Sequence, residues 1–241
     1  MSQQSDSTAI KTSIGHSYES DYYGTHYGRI VQDPKYYDLI SHYWKYGLFS
    51  RNNLDTSSRI LDYGSGIGQV SAALPNVMLS DPSAFALEFA KSRGKTIITS
   101  LDKIPHDFFD IILSSHALEH SPNPADDLIR FKQYAKAPTG KLVLLIPSEY
   151  DMYRATKPTT IPRLTPDLHD QHFQCWTFQT ITNLLAYCGW RAVHQEKIYG
   201  SFLLNALGKR FSTDTAVKLS YRLGRMKKHY PSLLTIADLK V

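Results

Sequence analysis

Three glycines at alternate positions, Gly64, Gly66 and Gly68, stand in the run Asp62-Tyr63-Gly64-Ser65-Gly66-Ile67-Gly68. Glycine permits a tight turn and lets backbone N–H groups come close to a ligand. The run follows an apolar stretch and precedes one expected to be helical. A helix N-terminus favours a negative group, here a carboxylate. The spacing is GxGxG, whereas the dinucleotide fingerprint is GxGxxG, so a nicotinamide cofactor is the weaker reading. Asp81 comes 13 residues after Gly68. At the end of a strand its carboxylate can accept the hydrogens of both ribose hydroxyls. Such a residue also serves as a helix cap, but Ser83 is available for that task, and beside a glycine loop the ribose role is favoured.

Four histidines, His116, His120, His169 and His172, can take up or release a proton near neutral pH. In His169-Asp170-Gln171-His172, Asp170 can orient one imidazole; the plain alternative is a polar start to the next helix. His169, Asp170 and His172 can also be read as metal ligands, but their spacing is not diagnostic, and no metal is assigned. Cys175 and Cys188 lie in no CxxC pair, which argues against a cysteine metal site and a disulfide scaffold. A reduced, cytoplasmic protein is expected.

These groups need elements to hold them. Arg59–Asp62 reads as a first strand running into the glycine loop, and Gln69–Leu74 as a helix stopped near Pro75. Val77–Leu79 is a second strand ending at Asp81. A helix over about 83–92 breaks at Gly94, and Thr96–Thr99 is a third strand. Phe109–Leu113, continuing to Ser115, is a fourth. A helix over Pro124–Tyr134 precedes a fifth strand, Lys141–Ile146. Thr177–Tyr187 reads as a helix ended by Gly189, Trp190–Ile198 as a sixth strand and Leu233–Val241 as a last one. The strand cores are apolar on both faces, as in a parallel sheet, and strands alternate with helices. The expected architecture is one α/β domain with a Rossmann-like, doubly wound, mostly parallel seven-stranded sheet. Residues 57–147 form the core. Residues 1–56 supply an aromatic helical cap, in which Asp33 and Pro34 start a helix. Residues 148–175 and 200–230 are insertions on the side where such sheets bind ligands.

Composition narrows the classes. The 241 residues are 42% hydrophobic and 20% charged, as in an ordinary globular protein. No apolar run suits a transmembrane helix, and the polar N-terminus lacks a signal-peptide pattern. The net charge of +5 favours anionic partners only mildly. Basic residues gather at 209–228 (Lys209, Arg210, Lys218, Arg222, Arg225, Lys227 and Lys228). The plain reading is a solvated helix face; the sharper one is peripheral contact with an anionic membrane or other phosphates.

In combination these segments resemble the class I S-adenosylmethionine-dependent methyltransferases. Leu61 to Gly68 resembles their first motif and Ser80-Asp81-Pro82-Ser83 their acidic second. Ser100 to Pro105 resembles the segment lining the adenine pocket. Phe109 to Ile112 with Ala117-Leu118-Glu119-His120 resembles the fourth strand and its turn, and Gly140 to Pro147 the fifth strand. The resemblance implies S-adenosyl-L-methionine as cofactor. Asp62, Gly64, Ser65, Gly66 and Gly68 would meet its methionine end, and Asp81, beside Pro82, its ribose. Leu101 through its backbone, or Asp102, would meet the adenine. Ser115 and His116 would border the methyl group. Ser100 departs from the acidic residue that many members carry. His120 occupies a position that is often histidine whatever the substrate, which favours a role in anchoring the turn.

His172 to Thr177, the helix ending in Gly189-Trp190, and Tyr22-Tyr23-Gly24-Thr25-His26-Tyr27 resemble a subgroup that often methylates sugars or other small metabolites. The expected acceptor is therefore a small molecule, methylated at a hydroxyl. Tyr22 and Tyr27 are expected on the substrate side, and His116, His169 and His172 are the candidate proton acceptors. The fourth strand ends Ser114-Ser115-His116, without the Asn/Asp-Pro-Pro-aromatic turn of amino-group methyltransferases. No Pro-Cys follows Pro147, as a covalent pyrimidine mechanism would need. Both absences argue against nucleic-acid acceptors. The rival readings are an RNA- or membrane-associated methyltransferase using the basic segment, a subunit that binds the cofactor without catalysis, and a nicotinamide oxidoreductase. No oligomeric state follows from the sequence.

Overall fold

The computed structural model describes residues 20–148 and 172–240. Seven strands make one sheet in the order β3-β2-β1-β4-β5-β7-β6. They are β1 (Ile60–Tyr63), β2 (Val77–Ser80), β3 (Thr96–Ile97), β4 (Ile111–Ser115), β5 (Lys141–Pro147), β6 (Trp190–Tyr199) and β7 (Pro231–Leu239). Strands β1 to β5 pair in parallel, and β7 runs antiparallel to both β5 and β6. The chain therefore has the seven-stranded α/β, Rossmann-like architecture that its sequence predicts. The order reverses between β1 and β4, so a crevice opens at their carboxyl ends.

Neighbouring residues along the inner strands face opposite ways, as the strand repeat requires. Leu61, Ile112, Leu142 and Leu144 pack with Phe131 and Trp190 on one face. Ile60, Ile111, Leu113, Val143 and Leu145 pack with Leu48 and Phe49 on the other. Both faces are covered, which explains why the strands read as continuous apolar runs.

Seven α-helices flank the sheet among the described residues: α1 (Ser20–Gln32), α2 (Pro34–Trp44), α3 (Ala84–Ser92), α4 (Pro124–Tyr134), α5 (Phe178–Tyr187), α6 (Leu204–Gly208) and α7 (Thr213–Lys227). Helix α2 starts as its sequence predicts: Pro34 is in the first turn and the Asp33 side chain accepts from Lys35 N and Tyr36 N. Thr177 caps α5, and Ser83 caps α3 by accepting from Ala86 N.

The helix expected over Gln69–Leu74 is absent. The chain there forms successive turns, with Gly68 N donating to Ser65 O, Ala72 N to Gly68 O and Leu74 N to Ser71 O. Helix α2 occupies this flank instead. Tyr37 Oη donates to Ile67 O at 3.0 Å, and Ala73 N donates to Ser41 Oγ at 2.6 Å. The aromatic N-terminal segment thus packs the first connection of the sheet. Strand β3 stops at Ile97, two residues short of its expected end, and Phe109 forms only an isolated bridge with Ala135 before β4 begins.

Helix α7 turns Ala216, Val217, Ser220, Tyr221 and Gly224 inward. Its Lys218, Arg222, Arg225 and Lys227 are exposed, and Lys218 pairs with Asp214 at 2.8 Å. These cations thus form a solvated face. No helix among the described residues is long and apolar enough to cross a membrane.

Candidate active site

The loop after β1 is built on three left-handed residues: Gly64, Gly66 and Gly68 have φ of +70°, +53° and +78°. Space adds to the conformational demand at two of them. A Cβ on Gly64 would sit 2.4 Å from Ala117 Cβ, and one on Gly68 would sit 2.8 Å from Leu79 Cδ1. Gly64→Ala would combine a left-handed alanine with overpacking, a cost of about 2–5 kcal/mol. We expect its thermal melt to fall by several degrees; an unchanged melting temperature would contradict the close approach of the β1 and β4 loops.

The loop's own amides are used internally. Gly64 N and Ser65 N donate to Ser80 O, at 2.8 and 3.1 Å. Gly66 N donates to Asp81 Oδ2 at 2.7 Å, and Ser83 N donates to Asp81 Oδ1 at 2.9 Å. Asp81 thus ties the glycine loop to the start of α3, while each carboxylate oxygen keeps a further lone pair. The expected helix N-terminus after Gly68 is absent, so the site does not use a helix dipole there.

Two buried acceptors in this region have no hydrogen-bond partner: Asp62 Oδ1 and Gln69 Oε1. The other oxygen of Asp62 accepts from Ser71 Oγ at 2.6 Å. Burial pushes Asp62 up to about 7, the Ser71 hydrogen bond opposing and the Asp81 charge adding. Burial likewise pushes Asp81 up to about 6, against the hydrogen bonds from Ser83 and Gly66.

Asp62, Gln69, Asp81 and the glycine loop line one cleft of about 870 Å³, within the range of small-molecule sites. Ile98, Thr99 and Ser100 continue its wall beyond β3, and Ser115, His116 and Ala117 close it after β4. Tyr22, Tyr23 and Tyr27 of α1 cover it with a cluster of rings 5.2–5.9 Å apart. His229 and Tyr230, at the far end of the 200–230 insertion, reach the same cleft.

His116 is a non-glycine residue held at φ +50°, a conformation retained only where its surroundings fix it. Its amide donates to Leu145 O at 2.7 Å. Its ring lies between two partners, with Nε2 3.2 Å from Ser232 Oγ and Nδ1 3.5 Å from Glu119 Oε1. Glu119 is 1% exposed, and His120 Nε2 lies 3.9 Å from the same oxygen. Burial raises the Glu119 carboxyl, but the adjoining His116 and His120 outweigh it and hold the group below the usual carboxylate range. His120 lines the cleft. His172 is exposed and stacks edge-on against His120, ring centroids 4.9 Å apart.

A family model described as a methyltransferase domain matches residues 35–195, more than half of the chain. The chain belongs to this methyltransferase family. Its fold is one shared with solved S-adenosylmethionine-dependent methyltransferases. No curated protein matches the sequence. Solved structures share the fold at low identity. A complex of the Haloferax volcanii Trm112 methyltransferase activator with a methyltransferase matches at 16% identity and a TM-score of 0.59, covering 92% of this chain and 97% of that one. Magnesium protoporphyrin IX methyltransferase from Synechocystis, with bound S-adenosylhomocysteine, matches at 14% and 0.58, covering 96% and 100%. The Burkholderia thailandensis 1,6-didemethyltoxoflavin N1-methyltransferase matches at 15% and 0.55, covering 97% and 88%.

Most of the residues singled out in the methyltransferase sequence meet in this cleft: Asp62, Gly64, Ser65, Gly66, Asp81, Pro82, Ser115, His116, Tyr22 and Tyr27 all line it. Gly68 packs beneath the loop against Leu79. Asp102 is exposed in a single 3-10 turn, Leu101–Lys103, outside the lining. His169 and Asp170 lie outside the described residues. Gln69, Thr99 and the pair His229 and Tyr230 went unread because they carry no local motif; only the fold brings them together.

Proposed function

We propose that this methyltransferase transfers the methyl group of S-adenosylmethionine to a hydroxyl of a small acceptor, sugar-like or another metabolite, held in the same cleft. The observation that carries the reading is the joint lining of one cleft by the glycine loop, Asp81, two orphaned buried acceptors and His116. The residues fit the cofactor. Asp62 Oδ1 and Gln69 Oε1 call for donors, and the cofactor's methionine end carries an ammonium. The glycine loop would take the methionine chain, Asp81, beside Pro82, would accept from the ribose hydroxyls, and the wall at 98–100 would border the adenine. The cofactor would supply a methyl carbon activated by a sulfonium. Ser115 and His116 would border that carbon, and Tyr22 and Tyr27 would exclude water and orient the acceptor. Alignment of this kind supplies much of the rate in a displacement.

Two of the structural neighbours, named for toxoflavin and magnesium protoporphyrin methylation, act on small ring metabolites, and the present cleft is of a size for such compounds. Incubation with methyl-labelled S-adenosylmethionine and separate pools of glycosides, aromatic metabolites, RNA and anionic vesicles tests the reading. Label in a small hydroxylated acceptor is expected. Label confined to RNA or lipid would overturn it, and cofactor binding without transfer to any pool would favour a non-catalytic subunit.

The two raised carboxyls set a pH dependence. Both stand above the ordinary 3.8, so their contribution to folding is greatest while protonated and is lost as pH rises through about 6 and 7. An ammonium beside Asp62 and hydroxyls on Asp81 favour the ionised forms. Cofactor affinity should therefore rise between about pH 5.5 and 7.5, as these carboxyls ionise. Calorimetric titration over that range checks the sign; affinity that falls with rising pH would contradict it.

A further inference from the structure

We propose that Glu119, His120 and His172 bind one divalent transition-metal ion at the edge of the cleft. One ligand atom from each lies within 4.8 Å of the others. Glu119 is 1% exposed, and its carboxylate oxygens have no close hydrogen bond among the described residues, the nearest donors being His116 Nδ1 and His120 Nε2 at 3.5 and 3.9 Å from Oε1. A carboxylate removed from water in this way needs a cation, and the groups facing it are imidazoles.

The placement of His172 is built into the backbone. Phe173 N and Gln174 N both donate to Glu119 O, at 2.9 and 3.2 Å. The segment that begins at His172 is thereby fastened to the turn after β4, and His172 lies against His120. The three ligands come from two distant stretches, so no local spacing betrays them. Two imidazoles and a carboxylate suit zinc, manganese or ferrous ions better than magnesium or calcium. Around a tetrahedral zinc such atoms stand roughly 3.3 Å apart. The remaining closure falls to His172, the exposed member of the three.

Three protein ligands leave a coordination position open. His120 is part of the cleft wall, so an acceptor oxygen, from a hydroxyl, a diol or a carboxylate, can fill that position. This role toward the acceptor rests on the proposed function, whereas binding of the ion does not.

The test is titration of the full chain, stripped with chelator, with Zn²⁺ and separately with Mn²⁺, in the absence of cofactor. Co²⁺ absorption serves as a spectroscopic readout. One equivalent bound at micromolar concentration is expected, with cobalt bands in the visible. His172→Ala, at an exposed position, should weaken binding at least about 100-fold, while His194→Ala on β6 should bind as the wild type. Absence of saturable binding, or equal binding by His172→Ala, would overturn the site. Methyl transfer by the metal-free protein would leave the proposed function standing even then.

Discussion

Asp81→Ala should abolish measurable S-adenosylmethionine binding at concentrations that saturate the wild type. In the proposed function the carboxylate accepts from two ribose hydroxyls, and each hydrogen bond to a charged group is worth about 1.5–3 kcal/mol. Losing both corresponds to roughly 10²–10⁴-fold in affinity. The mutation also strips partners from Gly66 N and Ser83 N, so the glycine loop loses its tie to α3. Asp81→Asn separates the two effects. Its amide oxygen can still accept one of these hydrogen bonds, so the loop should survive better than affinity does. Calorimetry on the three proteins reads the difference. Wild-type affinity in Asp81→Ala would remove Asp81 from the cofactor site.

His116→Ala should lower turnover about 10²–10⁴-fold, the usual worth of a positioned proton acceptor, with cofactor affinity nearly unchanged. A hydroxyl loses its proton as its oxygen bonds to the methyl carbon and the carbon–sulfur bond breaks. His116 lines the cleft beyond β4, and its Nε2 is the ring atom near Ser232 Oγ. The buried Glu119 lies 3.5 Å from Nδ1, where it is placed to orient the ring, as the carboxylate does in a catalytic triad. Glu119 is thus a positioning residue. Single-turnover rates with a labelled donor check the expectation. An undiminished rate would assign the proton to another group, and a loss confined to cofactor binding would give His116 a structural role.

Much of the fold was legible because its strands are short apolar runs that need cover on both faces. Asp33 with Pro34 and Ser83 mark helix starts through chemistry confined to a few residues, and both cap as read, while Thr177, read as the first residue of its helix, is the cap of α5. The helix after Gly68 was misread because periodicity over Gln69–Leu74 says nothing about what packs there. Tyr37 and Ser41, some thirty residues upstream, satisfy backbone groups that a helix would have satisfied internally. The glycine run and Asp81, which share the cleft, were legible in the sequence, since both serve local backbone geometry. Other parts of the cleft were not. Gln69 and His229 reach the cleft only through the fold, and His120 meets His172 only because tertiary packing joins the turn after β4 to a segment more than fifty residues away. Of the basic run at 209–228, Lys218, Arg222, Arg225 and Lys227 stand exposed on α7.

The central claim is tested most directly by parallel calorimetric titration of the wild type with S-adenosylmethionine, S-adenosylhomocysteine and NAD. Micromolar binding of both sulfur nucleotides at one site per chain, with none of NAD, is the predicted result. Binding of NAD with no response to either sulfur nucleotide would contradict the account.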